Sequence, residues 1–273
     1  MTITTIIYDV DDTLYDVATG FTAYRNGEAA QRFMVEHLDF PDMESAKQLR
    51  DEYFEKYHAT AKALTVAEQE GRLPPPKDPA NAKSPRFRTQ DLAEYWAQHM
   101  KYELLGGRKE GVRKDMQELT LHQVAFSNGP RKYVKQVLLE LGLFDIFGEE
   151  RLFAVDDVLP HCKPEPEAFA KIFDKVGTKA EECIMVEDSM KNIRRAKELG
   201  MKTVLVTGKG RMQKSRVNGV VHSAEADASE ATKPGDAPVE DDPAVDVAIE
   251  TIEELREALP GLWQSPPVFE TAR

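Results

Sequence analysis

The sequence predicts an α/β protein, a doubly wound parallel sheet of the Rossmann-like kind with an inserted α-helical cap domain. Three observations carry that expectation. Short apolar, β-rich runs recur along the chain; after the second run they alternate with helical patterns; and more than a hundred residues separate the first run from the second.

The runs are Ile3 to Tyr8, Gln123 to Phe126, Leu152 to Val155, Cys183 to Val186, Thr203 to Val206 and Val245 to Ile249. Between them, Val134, Val137, Leu138 and Leu141 follow helical spacing and stop at Gly142, and Phe169, Ile172, Phe173 and Val176 do the same before Gly177. The long stretch after the first run far exceeds an ordinary crossover. It carries helical stripes of its own, at Ala30, Phe33, Met34 and His37 and at Leu92, Tyr95, Trp96 and His99. The domain reading is therefore a discontinuous core, residues 1–15 and 106–263, with a helical cap at 16–105. Within the cap, Pro74, Pro75, Pro76, Pro79 and Pro85 predict an extended surface loop over Gly71 to Pro85. Ser223 to Pro243 has seven acidic residues against Lys233 alone and reads as a disordered, solvated linker.

Composition narrows the function. The chain has 273 residues, a formal net charge of −12, 31% charged and 41% hydrophobic residues, enough for a substantial core. An acidic balance offers no general field for phosphate backbones or anionic lipid, so no nucleic-acid polymer and no membrane partner is expected. No apolar run approaches the roughly 20 residues of a membrane helix. A core strand already starts at Ile3, so a cleaved targeting segment is not expected and the cytoplasm is the expected location. Two cysteines, Cys162 and Cys183, make no disulfide framework, and six histidines without an HxxxH pair give no zinc or haem signal. A hard metal held by oxygens remains open.

The chemistry-bearing residues fall after the strand runs. Asp9-Val10-Asp11-Asp12-Thr13 places two carboxylates at alternate positions just past the first strand, where open α/β sheets bind ligands; acidic turns on surfaces look the same. Ser127-Asn128-Gly129 follows the second strand and offers hydroxyl, amide and backbone donors to a phosphate, or else a helix cap. Lys163, in a turn stiffened by Pro164, can supply a fixed point charge. Glu187-Asp188 ends a further strand and could complete an all-oxygen Mg²⁺ site with the first aspartates, or cap the next helix. Four such elements in this order are not explained as four separate caps.

In these four motifs, Asp9-Val10-Asp11-Asp12-Thr13, Ser127-Asn128, Lys163 and Glu187-Asp188, the chain resembles the haloacid dehalogenase superfamily. Thr13-Leu14-Tyr15 with Thr19-Gly20-Phe21, then Tyr57 to Leu64, then Ala258 to Trp263, are similar to the pyrimidine 5′-nucleotidase-like branch of that superfamily. The resemblance implies a Mg²⁺-dependent phosphatase of small phosphate monoesters, with a pyrimidine nucleoside 5′-monophosphate as its substrate. Asp9 would be the nucleophile that becomes an aspartyl-phosphate, and Asp11 the acid and base. Ser127, Asn128 and Lys163 would bind the phosphate; Asp9, the Asp11 carbonyl and Asp188 would hold Mg²⁺, with Glu187 behind them. Dehalogenases of the superfamily lack the second aspartate, which favours phosphate over halide. A sugar-phosphate or other metabolite phosphatase, a phosphomutase, or a binding module without turnover are the competing readings. Tyr24, Arg25, Tyr57, Lys62, Arg86 and Arg88 of the cap could meet a base or sugar, although packing or solvation is the commoner role of such residues.

Overall fold

The computed structural model describes residues 2–81, 84–209, 214–217, 220–223 and 237–271. Its strands are β1 (Thr5–Tyr8), β2 (His122–Phe126), β3 (Leu152–Phe153), β4 (Cys183–Glu187), β5 (Lys202–Val206), β6 (Lys214–Val217), β7 (Val220–Ser223) and β8 (Val247–Ile249). Six of them form one parallel sheet in the order β3-β2-β1-β4-β5-β8. The strands expected from the sequence all lie in it. β6 and β7, which lead up to the stretch read as a linker and were not among the expected strands, pair antiparallel as a separate hairpin. The sequence did carry a signal: Asn218-Gly219 between valines is a strong short-range hairpin cue.

Alternation within β1 shows why the sheet needs two covering layers. Ile6 and Tyr8 join one apolar cluster and Ile7 another, and all three are fully buried.

Between β1 and β2 the chain runs through α1 (Phe21–Tyr24), a π turn at Arg25–Ala29, α2 (Ala30–His37), α3 (Met43–Tyr57), α4 (Thr60–Gln69) and α5 (Thr89–His99). The stripes read from sequence supply the buried side of this layer through Phe33, Met34, Leu92 and Trp96. α3 begins where the Asp42 carboxylate accepts from the Ser45 N–H at 2.8 Å and ends at His58, which takes a φ of 52°. The proline-rich stretch is largely exposed. It is tied back at its end by Arg86, which donates to the Leu38 carbonyl at 2.9 Å and to the Pro74 carbonyl.

The rest of the core contributes α6 (Glu110–Glu118), α7 (Arg131–Glu140), α8 (Phe144–Phe147), α9 (Val155–Val158), α10 (Pro166–Val176), α11 (Met190–Glu198) and α12 (Leu255–Ala258). Val112, Met116, Val134 and Leu138 from α6 and α7 pack with Ile6 and Tyr8; Phe169, Ile172 and Ala196 from α10 and α11 pack with Ile7. α10 has Pro166 in its first turn and ends at Gly177 with a φ of 73°, the helix start and stop the sequence signals. Burying Phe169 and Ile172 contributes about 1.5–3 kcal/mol each.

Of the acidic stretch, residues 224–236 lie outside the described residues. Its end packs: Ala237 is buried, Val239 sits against the cluster of Met190 and Ile193, and Asp242 pairs with Arg194 at 2.9 Å. The packed part of the core thus resumes before Val245, through the apolar contacts of Ala237 and Val239 with the Asp242–Arg194 pair beside them.

Candidate active site

β1 and β4 lie at the middle of the sheet: from β1 the chain steps outward to β2 and β3, then crosses back to β4 and steps the opposite way to β5 and β8. That reversal opens a crevice at the carboxyl ends of the strands. The Asp9 N–H still donates to the Val186 carbonyl at 2.9 Å, one step past the last paired residue of β1. The chain then turns sharply. Thr13 and Leu14 N–H groups return to the Val10 carbonyl, and Asp12 adopts a left-handed φ of 58°. This turn brings the Thr13 hydroxyl to 3.2 Å from Asp9 Oδ2.

Lys163 reaches the same point from the loop before α10. Its Nζ donates to Asp9 Oδ1 at 2.6 Å, Glu187 Oε2 at 2.8 Å and the Phe126 carbonyl at 2.7 Å. The side chain is fully enclosed, so three short contacts to acceptors replace its lost hydration. Burial opposes the ammonium charge, but Asp9 and Glu187 outweigh it and hold Lys163 protonated. The loop is held by Asn128, whose amide oxygen accepts from the Lys163 N–H at 2.9 Å while its nitrogen donates to the Lys163 carbonyl at 2.8 Å.

Two carboxylates two residues apart meet opposite environments. Burial pushes the Asp9 carboxyl up to about 6; Lys163 opposes the rise, and the negative charges of Asp188 and Asp11 add to it. Asp11 is also buried, yet it is held below its usual range. The Arg25 guanidinium lies 2.5 Å from Oδ2, and the Tyr133 and Tyr15 hydroxyls donate to Oδ1 at 2.6 and 2.7 Å, which together outweigh the burial. Ser127 Oγ completes the set at 3.2 Å from Oδ2. Glu187 is raised well above its usual value, by burial first and then by the charge of Asp9. It is nonetheless well bonded, accepting from Asn192 at 3.0 Å and from the Asp188 and Ser189 N–H groups at 3.2 Å.

Carboxylate oxygens of Asp9, Glu187 and Asp188 all lie within 4.8 Å of one another. The structure therefore brings together Asp9 and Asp188 as the sequence suggests and adds Glu187, while the Asp11 side chain turns away toward Arg25. Ser127, Asn128 and Lys163 all line the same cleft. Lys163 rests against Asp9 itself rather than reaching outward.

Arg25 is one of six insert residues, with Tyr24, Tyr57, Lys62, Arg86 and Arg88, whose role sequence reasoning left undecided. It occupies the π turn, donates to the Tyr133 hydroxyl at 2.9 Å and lies over the Trp96 and Tyr133 rings at 5.6 and 5.2 Å. Of the other candidates from the insert, Lys62 pairs with Glu165, Arg86 with Asp39 and Arg88 with Asp91. A glycine inside a helical pattern, Gly27, was the one local hint of an irregular turn.

A buried aspartate held by a lysine, with a second carboxylate beside it at the switch point of a parallel sheet, puts paired acidic groups where open α/β sheets bind their ligands. Residues 3–200 match the haloacid dehalogenase-like hydrolase family, and the chain belongs to it. Among curated relatives it is 33% identical over 121 residues to YhcW of Bacillus subtilis (strain 168), covering 44% of this chain and 54% of that protein. It is 26% identical over 219 residues to the pyrophosphatase PpaX of Halalkalibacterium halodurans, covering 76% of this chain and 84% of that one. It is 34% identical over 87 residues to the phosphoglycolate phosphatase of Vibrio cholerae serotype O1, covering 30% and 37%. The chain thus spans about half of YhcW and a smaller part of the Vibrio enzyme. Its fold is similar to the L-2-haloacid dehalogenase of Xanthobacter autotrophicus, with a TM-score of 0.54, 18% identity and coverage of 95% and 99%. Among the described residues, no helix is long and apolar enough to cross a membrane.

Proposed function

We propose that this chain is a Mg²⁺-dependent phosphatase of small phosphate monoesters that works through an aspartyl-phosphate, with a pyrimidine nucleoside 5′-monophosphate as its substrate class. The observation that carries this reading is the pair of aspartates, Asp9 against Lys163 and Asp11 two residues on, in one cleft. The names of PpaX and the Vibrio phosphoglycolate phosphatase support hydrolysis of phosphate compounds. The nucleotide rests on the sequence resemblance alone.

In this reading Asp9 Oδ2, held by Thr13, attacks the phosphorus while Lys163 keeps the carboxylate ionised and oriented. The Ser127 hydroxyl and the Asn128 backbone N–H receive the phosphate oxygens. Asp11 transfers the proton to the leaving oxygen and then takes one from the water that splits the acyl-phosphate. In the structure its carboxyl is held low and paired with Arg25, so substrate entry must loosen that pair and Asp11 must take up a proton from water before it can give one to the leaving oxygen. The helices inserted between β1 and β2 serve as the cap that encloses the leaving group.

The metal fits the donor set: three clustered carboxylates face one fixed ammonium, an excess of negative charge built of hard oxygens. Asp9, Asp188 and the Asp11 carbonyl would hold Mg²⁺, with Glu187 beside them, and the ion would offset repulsion between nucleophile and phosphate. The buried, unpaired cysteines suit the reducing cytoplasmic setting expected from sequence.

The test is phosphate release from nucleoside monophosphates, sugar phosphates and flavin mononucleotide, with Mg²⁺ or EDTA, for the natural chain and Asp9→Asn. Metal-dependent release abolished by the substitution supports the reading. Absence of release across the panel from folded protein overturns it, and a bisphosphate product would assign a mutase instead.

A further inference from the structure

Two side chains from opposite walls of the cleft meet at their ends. Lys191, in the first turn of α11, donates from Nζ to Nε2 of His58 in the insert at 2.7 Å, across 133 positions of the chain. Both residues line the cleft and both are half-buried, so a solute held there can reach them. The contact fixes the chemistry of the pair. An ammonium has no lone pair, so His58 must accept at Nε2 as a neutral imidazole and carry its proton at Nδ1. The atoms that such a pair can turn to a ligand are therefore donors alone: ammonium N–H groups and the Nδ1–H.

His58 stands at this point against its backbone preference. Its φ of 52° lies in the left-handed region that glycine adopts freely, and a large side chain stays there only where its surroundings hold it. The holders are the Phe54 ring, one turn back in α3 and itself in the cleft wall, and Lys191 at the far end. Phe54 meets the imidazole edge to face, with ring centroids 6.1 Å apart. Glycine would serve the turn; the imidazole serves the contact across the cleft. The insert moreover brings no carboxylate to the lining, whose acidic members, Asp9, Asp11, Asp12, Glu187 and Asp188, all follow the ends of β1 and β4 or close them.

We propose that His58 and Lys191 determine specificity, joining the insert to the core over the leaving group and donating to oxygen acceptors on it. The inference rests on the phosphatase reading and adds which residues recognise the departing part, and by what chemistry. The carbonyls of a pyrimidine and the carboxylate of a phosphorylated hydroxy acid present that chemistry alike. The substrates below separate the two sources.

The experiment measures kcat/KM of the full chain with Mg²⁺ on uridine 5′-monophosphate, 2-phosphoglycolate and phenyl phosphate, with a melting temperature for each protein. The proteins are the natural chain, His58→Gly, Lys191→Met, Lys191→Arg and the double variant His58→Gly with Lys191→Met. The natural chain should favour one of the first two substrates over phenyl phosphate, whose leaving group has only its bridging oxygen; which one it favours assigns carbonyl or carboxylate. That preference, taken as a ratio of kcat/KM values, should fall about tenfold in His58→Gly and in Lys191→Met, the loss of one hydrogen bond, and largely survive in Lys191→Arg. Because the two residues act as a pair, the double variant should lose less than the product of the single losses. His58→Gly should not lower the melting temperature, since glycine suits the turn. A ratio unchanged in the variants, including equal losses on all three substrates, overturns the inference, as does a natural chain without preference. So does a ratio that falls only where the melting temperature falls with it. Failure of the phosphatase reading shows separately, as no phosphate release from any of the three by the folded natural chain, and takes this inference with it.

Discussion

Asp9 and Asp11 stand two residues apart and should answer substitution with opposite signs. The folded Asp9 carboxyl is raised to about 6 from an ordinary 3.8, so its protonated form favours the fold. That contribution is complete below the unfolded value and is lost as pH rises through about 6, on the order of 3 kcal/mol in all. Asp9→Asn keeps a neutral group at every pH. Urea denaturation in EDTA should therefore find it more stable than the natural chain at pH 7.5, with the gain vanishing near pH 4, while turnover is abolished. Asp11 is lowered, so its contribution is present above the unfolded value and fades as pH falls. Asp11→Asn leaves the enclosed Arg25 without its charge partner and should destabilise at pH 7.5 by about 3 kcal/mol. A shift of the same sign for both would contradict this account of the site.

Among the elements, the loop from Ser127 to Gly129 matters because it fixes another loop. The two hydrogen bonds between the Asn128 amide and the Lys163 backbone hold Lys163 against Asp9. Asn128→Ala should cost about 1–3 kcal/mol in urea denaturation and lower kcat more than it raises KM, since the nucleophile loses its alignment. At the end of the core, Gly261 is pressed against the chain: a Cβ there would lie 2.5 Å from the Val268 carbonyl oxygen. Gly261→Ala should therefore lower the melting temperature without changing KM. These elements also show what a sequence can disclose. β1, β2, β4 and β5 were legible because strands covered on both faces read as unbroken apolar runs, and the motif residues follow them directly. Arg25 was not legible as an Asp11 partner, because its position depends on how α1, the π turn and α5 pack on α7, contacts made far apart in sequence. Nor was the use of the Asn128 side chain, which looks from sequence like a phosphate donor and proves to be a brace. The packing of Asp242 against Arg194 was hidden by the acidic composition around it.

At the scale of the whole molecule, the strand ends concentrate negative charge that the fold must tolerate until a cation arrives. Asp9, Glu187 and Asp188 face the single buried ammonium of Lys163, and burial with mutual repulsion raises both Asp9 and Glu187. A ligand that binds the folded chain alone stabilises it by mass action, about 2.7 kcal/mol at a hundred times its dissociation constant. Mg²⁺ should accordingly raise the melting temperature at pH 7.5 in proportion to the logarithm of its concentration, and EDTA should reverse the rise. The effect should shrink below pH 6, where protons compete for the same oxygens. Asp188→Asn should remove most of the shift by taking away one of the three clustered carboxylates. Asp11→Asn should keep most of it, because the Asp11 side chain is turned to Arg25 and only its backbone carbonyl is expected to meet the ion. Equal loss in the two variants would place the Asp11 carboxylate in the metal site and dissolve the division of labour between the two aspartates, whereas a shift that survives in both would put the cation elsewhere.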